Sequence, residues 1–141
     1  MAKQLSVFIE NRKGRLGEVL SVLRKNEVNI LSLSLADTTE YGLLRLIVND
    51  PEKGKEKLSE EGFSTMLTKV LVIKIEHKVG SLQILLDTLS KNDINIEYMY
   101  GLSTEGVNAF VVLKASNAEL AEKILAENGI KTLRTEDILK L

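Results

Sequence analysis

The chain has no cysteine and no tryptophan, one proline, one histidine, and only 4% aromatic residues. Without cysteine there is no disulfide, no thiolate metal site and no cysteine nucleophile. The single histidine, His77, argues against a histidine-based metal site within one chain, so neither metal nor cofactor is expected. An excess of one charge is missing too. Lys and Arg number 19 against 20 Asp and Glu, a net charge of -1. No basic surplus draws the chain to nucleic acid or anionic lipid. Long apolar runs are absent as well. Leu5–Ile9 is too short and too polar for the core of a signal peptide, and nothing approaches the ~20 apolar residues of a membrane span. These absences lead to the expectation of a soluble, cytoplasmic protein. What is present is 44% hydrophobic residues over 141 positions. That suits one ordinary domain or two very small ones with aliphatic cores.

The strongest internal signal is a repeat. "VFIENRKGRLGEVLSVLRKNEVNIL" at residues 7–31 returns as "IKIEHKVGSLQILLDTLSKNDINIE" at 73–97. Shifted by 66 positions, residues 6–49 lie over 72–115 without a gap, with eleven identities in 44 positions. Ile9, Glu10, Gly14, Leu16, Leu20, Leu23, Lys25, Asn26, Asn29, Ile30 and Thr38 meet their own kind. Glycine, asparagine and leucine in common register indicate a duplication.

Each copy reads alike. Leu5, Val7 and Ile9 alternate with Ser6 and Glu10, as in a strand with one buried face. Leu16, Val19, Leu20 and Leu23 fall on one stripe of a helix, and so do Leu82, Leu85, Leu86 and Leu89. "ILSLSLA" and "LLRLIV", parted by the turn "EYG", read as two further strands. Asp50-Pro51 has the chemistry of an N-cap followed by the first helical residue. In the second copy Ser116 and Glu119 suggest a capping box. Gly62 and Gly129 end these helices. A fourth strand is expected over Ser64–Lys69 and, more weakly, Lys131–Arg134. "TEDILKL" reads as a helical turn. The predicted class is α+β: two tandem ferredoxin-like βαββαβ units, residues 1–69 and 70–141. Each would carry an antiparallel sheet with its helices on one face. A lone unit of ~65 residues is marginal, so the two are expected to share a large interface.

Gly14 and Gly80 stand where the first strand of each copy turns into its helix. The start of a helix leaves N–H groups unpaired at the positive end of the helix dipole, where a carboxylate is welcome. Glycine can take φ > 0 there and let a ligand approach the backbone. A plain strand-to-helix turn is the commoner reason for such a glycine. Asn29 and Asn95 stand before the second strand. They read either as αL or C-cap residues, or as amides that accept from an ammonium and donate to a carboxylate. Asn11 and Asn29 flank the helix at opposite ends, roughly 18 Å apart at ~1.5 Å per residue. One small molecule reaches both only if the first turn of one copy faces the second turn of another. A two-fold pairing of copies would bring Asn11 toward Asn95 and His77 toward Asn29.

These residues carry a family resemblance. "ENRKGRL", a leucine helix and "NI" before the second strand resemble an ACT domain. "LSVFIENRKGRLGEVLSVL" with "VNILSLSL" is similar to the ACT domain of acetolactate synthase regulatory subunits. "IEHKVGSLQILLDTLSKNDINIEYMYG" resembles a second, diverged ACT domain. The resemblance implies a small-molecule sensor, generally for an amino acid, with the ligand between paired domains. It implies ligand-binding roles for Asn11 and for Asn29 with Ile30, and for His77 and for Asn95 with Ile96. Gly14, Arg15 and Leu16, and Gly80, Ser81 and Leu82, would line the carboxylate end. Two departures stand out. Lys13 and Val79 replace the usual proline, and His77 replaces asparagine, which makes the two candidate sites unequal. Tyr98 and Tyr100 point the same way along a strand and either close a pocket or pack.

Other tenants of this fold class fit poorly. Paired aromatics on a basic face, a Cys-x-x-Cys loop, a phosphate cradle and a carboxylate pair are all missing, so no enzyme is expected. Three readings remain. One is a free-standing tandem ACT protein that binds an amino acid and signals to a metabolic enzyme. Another is the regulatory subunit of acetolactate synthase, against which the second ACT-like copy argues. The last is a dimerisation module without ligand. Apolar residues on both faces of "LLRLIV" point to a homodimer.

Overall fold

A computed structural model describes residues 1–37, 40–76, 78–102 and 108–141. Thr38 and His77 lie outside the described residues. The chain divides into an N-terminal unit, Lys3–Thr68, and a C-terminal unit, Lys69–Leu141 together with Met1–Ala2.

In the N-terminal unit β1 (Ala2–Glu10) leads to α1 (Arg15–Lys25), β2 (Ile30–Asp37), β3 (Tyr41–Val48), α2 (Pro51–Glu60) and the start of β4 (Ser64–Glu76). The strand order β2-β3-β1-β4 is that of the split βαβ arrangement. β3 runs antiparallel to both neighbours, with Val7 opposite Leu44, Ile9 opposite Gly42 and Leu35 opposite Leu44. Leu5, Val7 and Ile9 from β1, Leu44, Leu46 and Val48 from β3, and Val19, Leu23 and Leu58 from the helices form one aliphatic core. Of the predicted α1 stripe, Val19 and Leu23 are buried while Leu16 and Leu20 are only partly covered.

The C-terminal unit repeats the plan. The rest of β4 is followed by α3 (Ser81–Ser90), β5 (Ile96–Leu102), β6 (Asn108–Ala115), α4 (Ala118–Glu127), the two-residue β7 (Thr132–Leu133) and the short α5 (Thr135–Ile138). β6 lies between β5 and β4, and β7 pairs with β4. Leu71, Ile73, Leu85, Leu89, Leu113 and Leu125 anchor its core, against which Met1 also packs. The terminal ammonium of Met1 lies 3.2 Å from a Glu122 carboxylate oxygen.

Several local expectations hold. Asp50 caps α2, its Oδ1 accepting from the Lys53 N–H at 3.1 Å, and Pro51 is the first helical residue. Gly62 and Gly129 take positive φ just past α2 and α4. Four expectations need correction. The copies do not superimpose without a gap. Leu35 faces Leu44, whereas Gly101, its counterpart at an offset of 66, faces Val111 rather than Phe110. The β5–β6 connection thus holds one extra residue, and the offset becomes 67 from β6 onward. That slip misplaces the second cap. Asn117, not Ser116, caps α4, its Oδ1 accepting from Leu120 N–H at 3.1 Å, while Ser116 Oγ accepts from Asn95 N–H at 3.1 Å. Nor is β1 buried on one face only. Gln4 and Ser6 are buried as well and hydrogen-bond each other at 3.0 Å, which offsets the cost of their desolvation. The two strands expected around Lys69 form one 13-residue strand, β4. "STMLTKVLVIKIE" has no glycine, proline or asparagine to break it. Among the described residues no helix is long and apolar enough to cross a membrane.

Candidate functional site

The turn from β1 into α1 is built by backbone geometry. Arg12 N–H donates to the Glu10 carbonyl at 2.8 Å, and Arg15 N–H to the Arg12 carbonyl at 3.3 Å. Gly14 then enters the left-handed region at φ 88°, ψ -13°, and its carbonyl accepts from Glu18 N–H at 3.0 Å to start the helix. The C-terminal unit uses the same device, with Gly80 at φ 85° and Ile84 N–H donating to its carbonyl at 3.1 Å. A Cβ on either glycine would meet no heavy atom within 4 Å, so backbone conformation, not crowding, selects the residue.

Among the described residues the four long helices divide by their caps. α2 and α4 begin at Asp50 and Asn117, whose side chains accept from the backbone of the first turn. α1 and α3 begin at glycine and have no side-chain cap. In α1 the helix therefore leaves the N–H groups of Leu16 and Gly17 without an internal acceptor, at the positive end of its dipole.

Beside this helix start, within the N-terminal unit, lies a cavity of about 350 Å³. Ile9 and Gly42 line it from the paired strands β1 and β3, Leu35 from β2, and Leu16 from α1. Glu10, Asn11 and Arg12 supply its polar part. Arg12 Nε donates to Glu10 Oε2 at 2.9 Å, and both side chains are more than half exposed. Gly42 keeps the cavity open, because a Cβ there would come within 3.1 Å of Ile9 Cγ1 and 3.4 Å of Leu35 Cδ1.

The predicted residues distribute unevenly around this feature. Asn11 and Leu16 line the cavity and Gly14 shapes its turn. Arg15 is not a lining residue. Its guanidinium carbon sits 4.2 Å from the centroid of the Phe63 ring, and the group also pairs with Glu18. Asn29 lies beyond the far end of α1. It is neither the C-cap, which is Asn26, nor the αL residue, which is Glu27. Its exposed position is held by Asn49, whose Oδ1 accepts from Asn29 N–H at 2.8 Å. Asn95 is held in the same way by Ser116, and Asp93 takes the αL role. Ile30 and Ile96 are partly buried against their respective cores. In the C-terminal unit Gly80 opens α3, followed by half-buried Ser81 and more exposed Leu82. Tyr98 and Tyr100 are half-buried on β5.

Sequence reasoning missed Glu10, Arg12, Ile9, Leu35 and Gly42 as lining residues. One signal was available. An acid two residues before a base recurs as Glu10–Arg12 and Glu76–Lys78. In the second pair Lys78 Nζ lies 2.7 Å from Glu76 Oε2. That contact holds the Glu76 carboxyl below its ordinary range and raises the Lys78 ammonium. Among the described residues no group of three or more His, Asp or Glu side chains is placed to hold a metal.

Known structures share this architecture. The crystal structure of protein BT0572 from Bacteroides thetaiotaomicron is 38% identical, covers 99% of this chain and 96% of its own, and has a TM-score of 0.93. The regulatory subunit of aspartate kinase from Thermus thermophilus, crystallised in a ligand-free form, is 16% identical with a TM-score of 0.64, over 89% of this chain and 91% of its own. The corresponding subunit from Thermus flavus is 18% identical with a TM-score of 0.60, over 89% and 90% of the two chains. Among curated proteins none matches the sequence. A family model described as an ACT domain pair matches residues 1–141, and the chain belongs to that family, each of its two units being ferredoxin-like and of the ACT type.

Proposed function

We propose that this chain is a non-catalytic regulatory protein that binds an amino acid at the turn between β1 and α1 and passes the signal to a metabolic enzyme. One observation carries the proposal: a cavity with a polar and an apolar part stands beside a helix start that no side chain caps. A zwitterion needs donors for its carboxylate and acceptors for its ammonium. The N–H groups of Leu16 and Gly17 supply the first. The Glu10 carboxylate, the Asn11 amide oxygen and nearby carbonyls supply the second. Each charge-assisted hydrogen bond contributes about 1.5–3 kcal/mol net. The open side of the cavity is closed by an ACT unit of a second chain, so a homodimer belongs to the proposal. Asn29 and Asn95 take part from such a neighbouring unit. Binding then acts by favouring one pairing of units over another, with no bond made or broken. The related aspartate kinase structures are regulatory subunits by name, which supports a regulatory role here.

Thermal unfolding against each of the twenty amino acids tests this. A ligand present at ~100 times its Kd adds about 2.7 kcal/mol of stability. At least one amino acid is expected to raise the melting temperature by several degrees. If none does, the ligand reading fails and a dimerisation module takes its place.

A further inference from the structure

We infer that the two units are unequal, and that the N-terminal unit alone accommodates the ligand's side chain, which is aliphatic. This rests on the amino-acid reading above and narrows it. Strand register sets the two units apart. In the N-terminal unit Ile9 faces Gly42, and Leu35 faces Leu44, two residues further along β3. In the C-terminal unit Ile75 faces Ala109, and Gly101 faces Val111, two residues further along β6. Gly42 therefore corresponds to Ala109, and Leu35 to Gly101. The C-terminal unit thus has glycine where the N-terminal unit has leucine, and alanine where it has glycine.

The replacements matter because these two positions shape the cavity. Gly42 is bare, and a methyl there would crowd Ile9 and Leu35 at 3.1 and 3.4 Å. Leu35 forms the wall above it and is 47% exposed, so it keeps apolar surface free for a ligand. At the corresponding place in the C-terminal unit, a Cβ on Gly101 meets no heavy atom within 4 Å. At that position the C-terminal unit has no side chain to form an apolar wall, and at Ala109 it carries a methyl where the N-terminal unit has none. Duplication copied the glycine turn and the uncapped helix start, but not the leucine and glycine that shape the side-chain compartment.

The lining of that compartment sets the ligand's chemistry. Ile9, Leu16 and Leu35 are its side-chain walls and Gly42 its bare face, while the charged and amide groups all come from Glu10, Asn11 and Arg12 in the turn. A volume of about 350 Å³ lies at the small end of the range for ligand pockets, roughly 300–1,000 Å³. A hydroxyl, amide or charge carried into the aliphatic part finds no partner there. Valine, isoleucine, leucine or methionine fits; serine, aspartate and lysine do not. Against its hydroxyl isostere threonine, valine is expected to bind about 100-fold more tightly, the discrimination such a pocket achieves.

Isothermal titration of the full chain with these amino acids tests the inference. The expected result is one site per chain, filled by an aliphatic amino acid and lost in Leu35→Ser. Gly101→Ala should leave binding unchanged. Circular dichroism of Leu35→Ser checks that its strand pairing survives, and Leu35→Met, which keeps an apolar wall, should restore most of the affinity. A preference for a polar or charged amino acid, two equal sites per chain, or undiminished binding by Leu35→Ser overturns the inference while leaving the amino-acid sensor standing. No binding by any amino acid overturns both.

Discussion

Two glycines three residues apart, Gly14 and Gly17, should respond to the same substitution in opposite directions. Gly14 sits at φ 88°, and a Cβ added there touches nothing within 4 Å. All the cost of Gly14→Ala is therefore backbone strain, about 1–2 kcal/mol for an L-residue in the left-handed region. Loss of unfolded-chain freedom returns about 0.4–1 kcal/mol. The net loss should be near ~1 kcal/mol. Gly17 lies inside α1, and its Cβ would also meet open space. There alanine is the better helix former by up to about 1 kcal/mol, so Gly17→Ala should stabilise. Urea unfolding followed by circular dichroism reads both. At a slope of ~2 kcal/mol per M, a 1 kcal/mol loss lowers the midpoint by about 0.5 M. Asparagine tolerates the left-handed region, so Gly14→Asn should lose less than Gly14→Ala. Equal shifts of one sign at the two positions, or a neutral Gly14→Ala, would refute the assignment of Gly14 as a conformational switch between strand and helix.

Two further outcomes are expected. Asn117→Ala should cost about 1 kcal/mol as the loss of a helix cap, whereas Glu119→Ala, whose partner Lys69 lies 3.6 Å away with both side chains exposed, should cost clearly less; the reverse order in urea midpoints would restore Ser116 and Glu119 as the capping pair. The Glu76 carboxyl, held low chiefly by its hydrogen bond from Lys78, should titrate closer to its ordinary value in Lys78→Ala when followed by NMR. Because the folded value is depressed, the pair's small stabilisation is present above the ordinary carboxylate pKa and is lost as the pH falls through the lowered one; an unmoved titration would mean the contact is not populated in solution.

What was legible in the sequence was local. The glycine turns at Gly14 and Gly80, the cap at Asp50 and the stops at Gly62 and Gly129 each depend on a few adjacent residues, and the backbone follows them. The repeat made the fold readable because the same signals came twice. The failures were matters of register. One extra residue in the β5–β6 connection moved the second cap from Ser116 to Asn117 without disturbing any hydrophobic pattern. Leu35 and Gly42 meet through the pairing of β2 and β3, a relation that alternation alone does not fix. Ser6 looked solvent-facing because alternation marks one face as apolar and is silent on whether the other is covered. Asn29 drew attention as an amide, yet its structural tie runs through its backbone to Asn49, twenty residues away.

The 13-residue strand β4 has a practical bearing. The duplication cannot be undone with a simple cut, because the closing strand of one module runs straight on as the opening strand of the next. A gene split between Thr68 and Lys69 would hand each half a stub, and the amino-terminal half would carry Met1 and Ala2 away from the module they belong to. Each fragment would present raw β-edges, the surface on which strands of strangers pair and precipitate.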